Sequence, residues 1–143
     1  MSSSMGIIFS NIYDNNMGEL TAMRTSASIP FGSRYRQVDF VLSNMANSGI
    51  KSIGIITKYN YQSLMDHLGN CEEWDLKLGD GVRFLPPYAT GHTGAYHGKL
   101  EALQTAMPVL ERSDADYVVL SDTTVLCAIN FRLVVEEHIR SGC

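Results

Sequence analysis

The sequence predicts an α/β fold built on a mostly parallel sheet. Short apolar runs rich in Ile and Val alternate along the chain with segments whose apolar residues recur at helical spacing. Strands that are apolar throughout are typical of sheets buried on both faces, and the helices between them supply the crossovers. The 143 residues are 45% hydrophobic and 18% charged, a composition that can form the core of one domain.

Four segments have the pattern of buried strands, each a short apolar run bounded by polar, glycine or proline residues. They are Gly6–Ser10, Ser52–Thr57, Val82–Leu85 and Asp116–Ser121. Ligands of parallel sheets bind beyond the carboxyl ends of the strands. The sequence therefore directs attention to the loops that follow Ser10, Thr57, Pro86 and Ser121.

Helical spacing appears in four further segments. Apolar residues at i, i+3, i+4 and i+7 predict a helix within Tyr35–Ser48, and Gly49 then stands where a C-terminal cap is expected. The same spacing predicts helices over Tyr59–Leu68 and along the face formed by Leu100, Leu103, Met107 and Leu110. A last helix is predicted over Asn130–Arg140, with Asn130 as its N-cap.

The remaining segments are less regular. Residues 11–33 are polar and aperiodic and are interpreted as one long loop, while a single helical turn is expected around Trp74. Residues 1–5 resemble a tag remnant or a disordered start, so the domain is expected to span residues 6–143. A helix at the end of such a chain usually leads into another strand, which predicts a truncated domain with one exposed sheet edge.

Composition and charge exclude several classes of protein. The formal net charge of −4 argues against a nucleic-acid partner, and no apolar run is long enough to predict a membrane span. The first residues lack the pattern of a secretory signal, which favours a cytoplasmic location. Cys71, Cys127 and Cys143 have no spacing typical of a zinc or redox site.

Several charged residues are candidates for binding. Asp122 follows the fourth predicted strand, where a carboxylate can bind Mg²⁺ or can simply cap the next turn. Arg24, Arg34 and Arg36 lie before or at the start of a helix, and arginine matches the geometry of phosphate, although solvated surface charges are an equal alternative. Asp39 lies near the same helix start and is expected to pair with an arginine.

The loop after the first strand lacks a feature that phosphate binding needs. Glycines there allow backbone N–H groups to approach a phosphate closely. Residues 11–17 contain no glycine, and the carboxylate of Asp14 would repel an anion. On physical grounds this loop is therefore a poor phosphate cradle.

A long and specific set of motifs resembles glucose-1-phosphate adenylyltransferase, the ADP-glucose pyrophosphorylase of glycogen and starch synthesis. The matching segments are Leu20–Arg24, Ile29–Asn44, Asn47–Ile50, Ile56–Tyr59, Ser63–Leu64, His67–Leu68, Tyr96–Gly98 and Val118–Asp122. The resemblance implies a Rossmann-like nucleotidyltransferase domain that binds ATP with Mg²⁺. It implies a metal-binding role for Asp122 and vestigial nucleotide- or phosphate-binding roles for Arg24, Arg34, Arg36, Lys58 and Gly98.

The departures from this family are concentrated in its catalytic signatures. The sequence Gly-Gly-x-Gly-Thr-Arg-Leu-x-Pro-Leu-Thr aligns onto residues 11–21, where the glycines and the arginine are replaced by Asn11, Ile12, Asp14 and Asn16. The family's phosphate-contacting lysine becomes Ser26, and the threonine after Gly98 becomes Lys99. This pattern resembles the GlgD group, non-catalytic homologues found beside the true enzyme in some Gram-positive bacteria, so no residue is assigned a catalytic role.

The resemblance is compatible with three functions of this chain. The first is a regulatory, catalytically impaired subunit that forms a hetero-oligomer with a catalytic adenylyltransferase subunit, which makes ADP-glucose from ATP and glucose 1-phosphate. The second is an active or weakly active sugar-phosphate nucleotidyltransferase that holds the triphosphate with Arg24, Arg34 and Lys58 and with Mg²⁺ at Asp122. The third is an interaction module that binds no nucleotide.

Overall fold

A four-stranded parallel sheet forms the centre of the structure, a computed structural model that describes residues 3–12, 14–76, 81–86 and 98–143. Its strands are β1 (Ser4–Phe9), β4 (Ser52–Ile56), β5 (Val82–Leu85) and β6 (Tyr117–Asp122), in the order β5-β4-β1-β6. A small antiparallel hairpin pairs β2 (Pro30–Phe31) with β3 (Tyr35–Arg36). The predicted α/β class and parallel sheet are confirmed.

Helices connect these strands. They are α1 (Gln37–Asn47), α2 (Gln62–Leu68), α3 (Lys99–Gln104), α4 (Met107–Leu110) and α5 (Phe131–Ser141). Gly49, two residues after the end of α1, has a φ of +82°, a conformation that glycine adopts without strain. The Asn130 side chain accepts the N–H groups of Arg132 and Leu133, which confirms the predicted cap of α5.

Both faces of the two central strands, β1 and β4, are buried. Side chains of adjacent strand residues point to opposite faces, so Ile8 of β1 packs in one cluster while Ile7 and Phe9 pack in the other. The larger cluster includes residues of α1, α2 and α5, and the smaller one includes Ala102 and Ala106. The apolar strands predicted from the sequence are therefore the centre of the core, and their carboxyl ends reach one common edge.

The domain begins earlier than the sequence predicts. β1 starts at Ser4 rather than Gly6, and Met5 is buried in register with Ser52 of β4. The backbone N–H of Ser3 also donates to the Asp116 carboxylate at 2.9 Å. Residues 3–5 are therefore part of the fold, because strand pairing and burial extend to them.

The region from Leu100 to Leu110 is not one continuous helix. It consists of α3 and α4, and its buried residues are Ala102, Thr105 and Ala106, whereas Leu100 and Met107 are exposed. Pro108 lies at the start of α4 and has no N–H to donate, so a continuous helix through this point would lose a hydrogen bond. Of the predicted apolar face, Leu103 and Leu110 pack against the smaller cluster. The prediction is wrong for Leu100 and Met107, which are exposed.

Two other boundaries differ from the predictions. Tyr35 and Arg36 belong to β3, so helix α1 begins only at Gln37. The segment predicted as one long loop contains three 3₁₀ turns, at Asp14–Asn16, Gly18–Thr21 and Ser26–Ser28. The predicted turn at Trp74 is confirmed by the 3₁₀ turn Glu72–Trp74.

Within the described residues, β6 pairs with β1 alone and forms one edge of the sheet. Val118 and Leu120 of this strand are exposed, as are Leu133 and Val134 of α5. The exposed edge that the sequence predicts is therefore present. No helix in the described ranges combines the length and the apolar character that crossing a bilayer requires.

Candidate functional site

The carboxyl ends of β1, β4 and β6 meet at one edge of the sheet. Phe9 of β1 is in register with Ile56 of β4 on one side and with Asp122 of β6 on the other. The segments that follow these strands begin with Ser10, Thr57 and Thr123, all of which are buried. This edge is where parallel sheets bind ligands, so we take it as the candidate site.

Asn11 joins the ends of β1 and β4. Its side-chain carbonyl accepts hydrogen bonds from the Ser10 hydroxyl at 2.8 Å and from the backbone N–H of Lys58 at 2.9 Å. Its amide nitrogen donates to the Asp14 carboxylate at 2.5 Å and to the backbone carbonyl of Tyr59 at 3.2 Å. The side chain is buried and uses both of its polar atoms, so it fixes the loops after the two strands relative to each other.

Asp14 organises the loop that follows β1. Asp14 is only 5% exposed. One of its carboxylate oxygens accepts a hydrogen bond from the backbone N–H of Ser26 at 2.8 Å, and the other accepts one from the Asn11 amide. The hydroxyl of Thr21 donates to the Asp14 backbone carbonyl at 2.6 Å. The loop is therefore folded around a negative charge of its own, and the Ser26 N–H that points into it is already in use.

Ser26 completes this polar cluster. Its hydroxyl is buried and donates to the backbone carbonyl of Ser10 at 3.0 Å. The backbone N–H of Ala27 donates to the same carbonyl at 3.3 Å. In the family signature this position carries a lysine that contacts phosphate. Here it holds a short serine side chain, which forms a hydrogen bond with the end of β1.

The three candidate arginines do not share one role. Arg36 donates from Nη1 to the Ser63 hydroxyl at 2.7 Å and to the Ser28 carbonyl at 3.1 Å, so it braces the hairpin against α2. Arg34 is exposed in the turn between β2 and β3, and Arg24 is half-buried. Within the described residues, Arg36 is the only one of the three whose side chain forms a hydrogen bond.

Asp39 pairs with a histidine rather than with an arginine side chain. Its Oδ1 lies 2.7 Å from Nε2 of His67, and its Oδ2 accepts the backbone N–H of Arg36 at 2.8 Å. The second contact satisfies an otherwise unpaired donor at the start of α1. The predicted arginine pair is therefore wrong because the Arg36 guanidinium is held by Ser28 and Ser63.

Lys58, Gly98 and Asp122 occupy different parts of the edge. Lys58 is half-buried with its ammonium 5.3 Å from the centre of the Tyr59 ring. Gly98 is exposed and extended immediately before α3. Asp122 is the last residue of β6, and its Oδ2 lies 2.7 Å from Nζ of Lys99, the first residue of α3.

Two residues of this site were not predicted. The sequence marks Asp14 as unfavourable to an anion, yet its contact with Ser26 spans 12 positions and no spacing rule indicates it. Lys99 stands 23 positions before Asp122. The signal that could have found it is the replacement of the family's threonine by a cation after Gly98.

A protein-family model for nucleotidyl transferases matches residues 15–143 of this chain. The chain belongs to the nucleotidyl transferase family. The match begins just after Asp14, so Asn11 and Asp14, which take the place of signature glycines, lie outside it. The predicted nucleotidyltransferase fold is confirmed, because the match covers the remainder of the sheet and its helices.

Relatives of this nucleotidyl transferase chain include a glycogen biosynthesis protein and an adenylyltransferase. The chain is 39% identical over 140 residues to glycogen biosynthesis protein GlgD of Bacillus subtilis, covering 97% of this chain and 41% of that protein. It is 32% identical over 143 residues to glucose-1-phosphate adenylyltransferase of Pseudothermotoga lettingae, covering 99% of this chain and 34% of that enzyme. The resemblance to both groups is confirmed, and the chain spans about two fifths or less of these relatives' length.

A solved structure has the same fold. It is that of a proposed glucose-1-phosphate thymidylyltransferase from Bacillus anthracis in complex with a sucrose. The TM-score is 0.75 at 16% sequence identity, and the match covers 96% of this chain and 51% of that one. At this identity the likeness establishes the nucleotidyl transferase fold alone.

In the described residues, the Asp122 carboxylate is paired with a cation and is not part of a cluster of candidate metal ligands. Mg²⁺ prefers an octahedral set of oxygen ligands. The described ranges contain no group of three or more His, Cys, Asp or Glu side chains that could hold a metal ion. Asp122 itself is paired with an ammonium group, which occupies one of its carboxylate oxygens.

Proposed function

We propose that this chain belongs to a regulatory, catalytically impaired subunit of glucose-1-phosphate adenylyltransferase in glycogen biosynthesis. In this proposal a catalytic partner subunit forms ADP-glucose from ATP and glucose 1-phosphate. The names of the relatives, a glycogen biosynthesis protein and a glucose-1-phosphate adenylyltransferase, support the pathway. The role of the partner and the loss of catalysis are the parts that need a test.

The buried carboxylate of Asp14 is the observation that carries the proposal. A nucleotidyl transferase of this family moves a nucleotidyl group between phosphates, so its catalysis depends on positioning and on neutralising phosphate charge. In this chain the Asp14 carboxylate accepts a hydrogen bond from the Ser26 N–H. The Asn11 amide donates to the Asp14 carboxylate and to the Tyr59 carbonyl. Two donors next to the end of β1, the Asn11 amide and the Ser26 N–H, are therefore bonded to the protein's own groups.

The expected loss of rate is large. Removing one preorganised donor to a developing negative charge costs about 2–4 kcal/mol, or roughly 10²–10³-fold in rate. The loop after β1 lacks the signature arginine, at Asn16, and the phosphate-contacting lysine, at Ser26, besides the signature glycines. Loss of even two such groups leaves a turnover far below that of a complete enzyme.

A three-way activity assay tests the proposal. ADP-glucose formation is measured with the protein alone, with a catalytic glucose-1-phosphate adenylyltransferase subunit alone, and with the two together. The protein alone is expected to be at least about 10³-fold slower than the partner. The mixture is expected to differ from the partner alone in KM or maximal rate, and to elute as one complex in gel filtration.

The second candidate function, that of an active nucleotidyl transferase, gives a different result. Turnover by the protein alone within tenfold of the partner would overturn the proposal, provided that Asp122→Asn abolishes that turnover. The Asp122 variant is needed because it distinguishes activity of this chain from a trace of contaminating enzyme. A mixture that neither associates nor changes the partner's kinetics would contradict the regulatory role.

A further inference from the structure

A cleft of about 410 Å³ lies at the carboxyl end of β6, between this strand and α3. It is lined by Phe9, Lys99, Leu100, Leu103, Leu120, Ser121 and Asp122. Most of its lining is apolar, and its two charged side chains face each other. Among the residues that line the cleft, Lys99 and Asp122 are the two that carry a charge.

Lys99 is held in place by two kinds of contact. Its Nζ lies 2.7 Å from Oδ2 of Asp122 and 5.7 Å from the centre of the Phe9 ring. The aspartate side chain is 17% exposed and the lysine side chain 47% exposed. A cation next to a carboxylate that is mostly shielded from water stabilises its charge, and the aromatic face of Phe9 adds a second favourable surface for the ammonium.

We infer that Lys99 is a built-in counter-ion that takes the place of a divalent cation at Asp122. An ammonium at 2.7 Å neutralises the carboxylate and repels a dication that approaches the same oxygen. The sequence supports this assignment, since the lysine replaces a threonine, which carries no charge, of the family signature. The inference rests on the proposed function. A subunit that has lost metal-dependent catalysis no longer needs a metal ion at Asp122, so a lysine can neutralise the carboxylate instead.

Thermal unfolding in the presence and absence of Mg²⁺ tests this inference without any nucleotide. Lys99→Met removes the charge and keeps much of the length of the side chain. This variant is expected to unfold about 3 °C below the wild type, because Asp122 loses its counter-ion. Millimolar MgCl₂ should restore at least half of that shift, whereas NaCl at equal ionic strength should not. The wild type should not respond specifically to Mg²⁺.

Three further variants serve as controls. Lys99→Arg keeps the positive charge, so it should unfold near the wild-type temperature and show no rescue by Mg²⁺. Adding Asp122→Asn to Lys99→Met should remove the rescue, because the carboxylate that would bind the ion is gone. Lys51→Met removes a different exposed lysine and should leave both the unfolding temperature and the response to Mg²⁺ unchanged.

Two results would overturn the inference. One is stabilisation of the wild type by Mg²⁺ that Asp122→Asn abolishes, which would mean that the ion binds despite Lys99. The other is a Lys99→Met variant that responds to Mg²⁺ no more than the wild type does. Either result leaves the activity assay of the proposed function intact, because that assay measures turnover and association rather than metal binding by this chain alone.

Discussion

Replacing Asp14 by asparagine tests whether a buried carboxylate holds the loop after β1. Asparagine has nearly the same shape, but it offers one acceptor oxygen where the carboxylate offers two. If that oxygen accepts the Ser26 N–H, the new amide group faces the amide group of Asn11. Both groups are hydrogen-bond donors, so the bond between these two side chains is lost. Because a hydrogen bond to a charged group contributes about 1.5–3 kcal/mol, the free energy of unfolding should fall by about 2 kcal/mol.

Urea unfolding followed by fluorescence measures this change. The chain has one tryptophan, Trp74, whose indole N–H donates to the Ser43 hydroxyl at 3.0 Å in the fold. A loss of about 2 kcal/mol corresponds to a melting temperature lower by about 6 °C in a domain of this size. Asp114→Asn is the matched control, since this aspartate is exposed and its substitution should change stability by less than about 0.5 kcal/mol. An Asp14→Asn variant as stable as the control would refute the role assigned to the carboxylate.

Three other predictions concern packing, capping and a thiol. A Cβ at Gly54 would lie 2.8 and 2.9 Å from methyl carbons of β5 and β1, so Gly54→Ala should destabilise the protein by about 1–3 kcal/mol in thermal unfolding. Asn130→Ala removes the cap of α5 and should cost about 1 kcal/mol, with amide exchange accelerated first in that helix. Burial raises the pKa of the Cys71 thiol, so a thiol reagent should modify exposed Cys127 and Cys143 quickly and Cys71 only upon unfolding.

Each of these three predictions has a result that would contradict it. A Gly54→Ala variant with wild-type stability would mean that the neighbouring side chains shift without cost. Unchanged amide exchange in α5 of Asn130→Ala would show that another group caps the helix. Three fast-reacting thiols in the native protein would show that Cys71 is accessible.

The sheet and its main helices could be predicted because their signals are local. An apolar run identifies β4 whatever its neighbours are, and Asn130 caps α5 through residues two and three positions away. The α3–α4 region was predicted less well. Spacing correctly indicated that Leu103 and Leu110 pack against the core, but the break near Pro108 leaves Leu100 and Met107 exposed.

The chemistry of the site could be predicted only in part, since it depends on contacts between distant residues. The sequence shows that glycines are replaced after β1, and this was enough to predict a poor phosphate cradle. It does not show that the Asp14 carboxylate turns inward to the N–H of Ser26, or that Lys99 meets Asp122. Both contacts arise because the fold brings different segments to one edge of the sheet.

Calorimetric titration of the protein with ATP, with and without Mg²⁺, tests the central claim most directly. The claim is that the loop after β1 is closed by its own carboxylate and no longer holds a triphosphate. We expect no binding heat at ATP concentrations up to the millimolar range under either condition. Magnesium-dependent binding in the micromolar range that Lys58→Ala and Arg24→Ala each weaken would contradict the claim and favour an active nucleotidyl transferase.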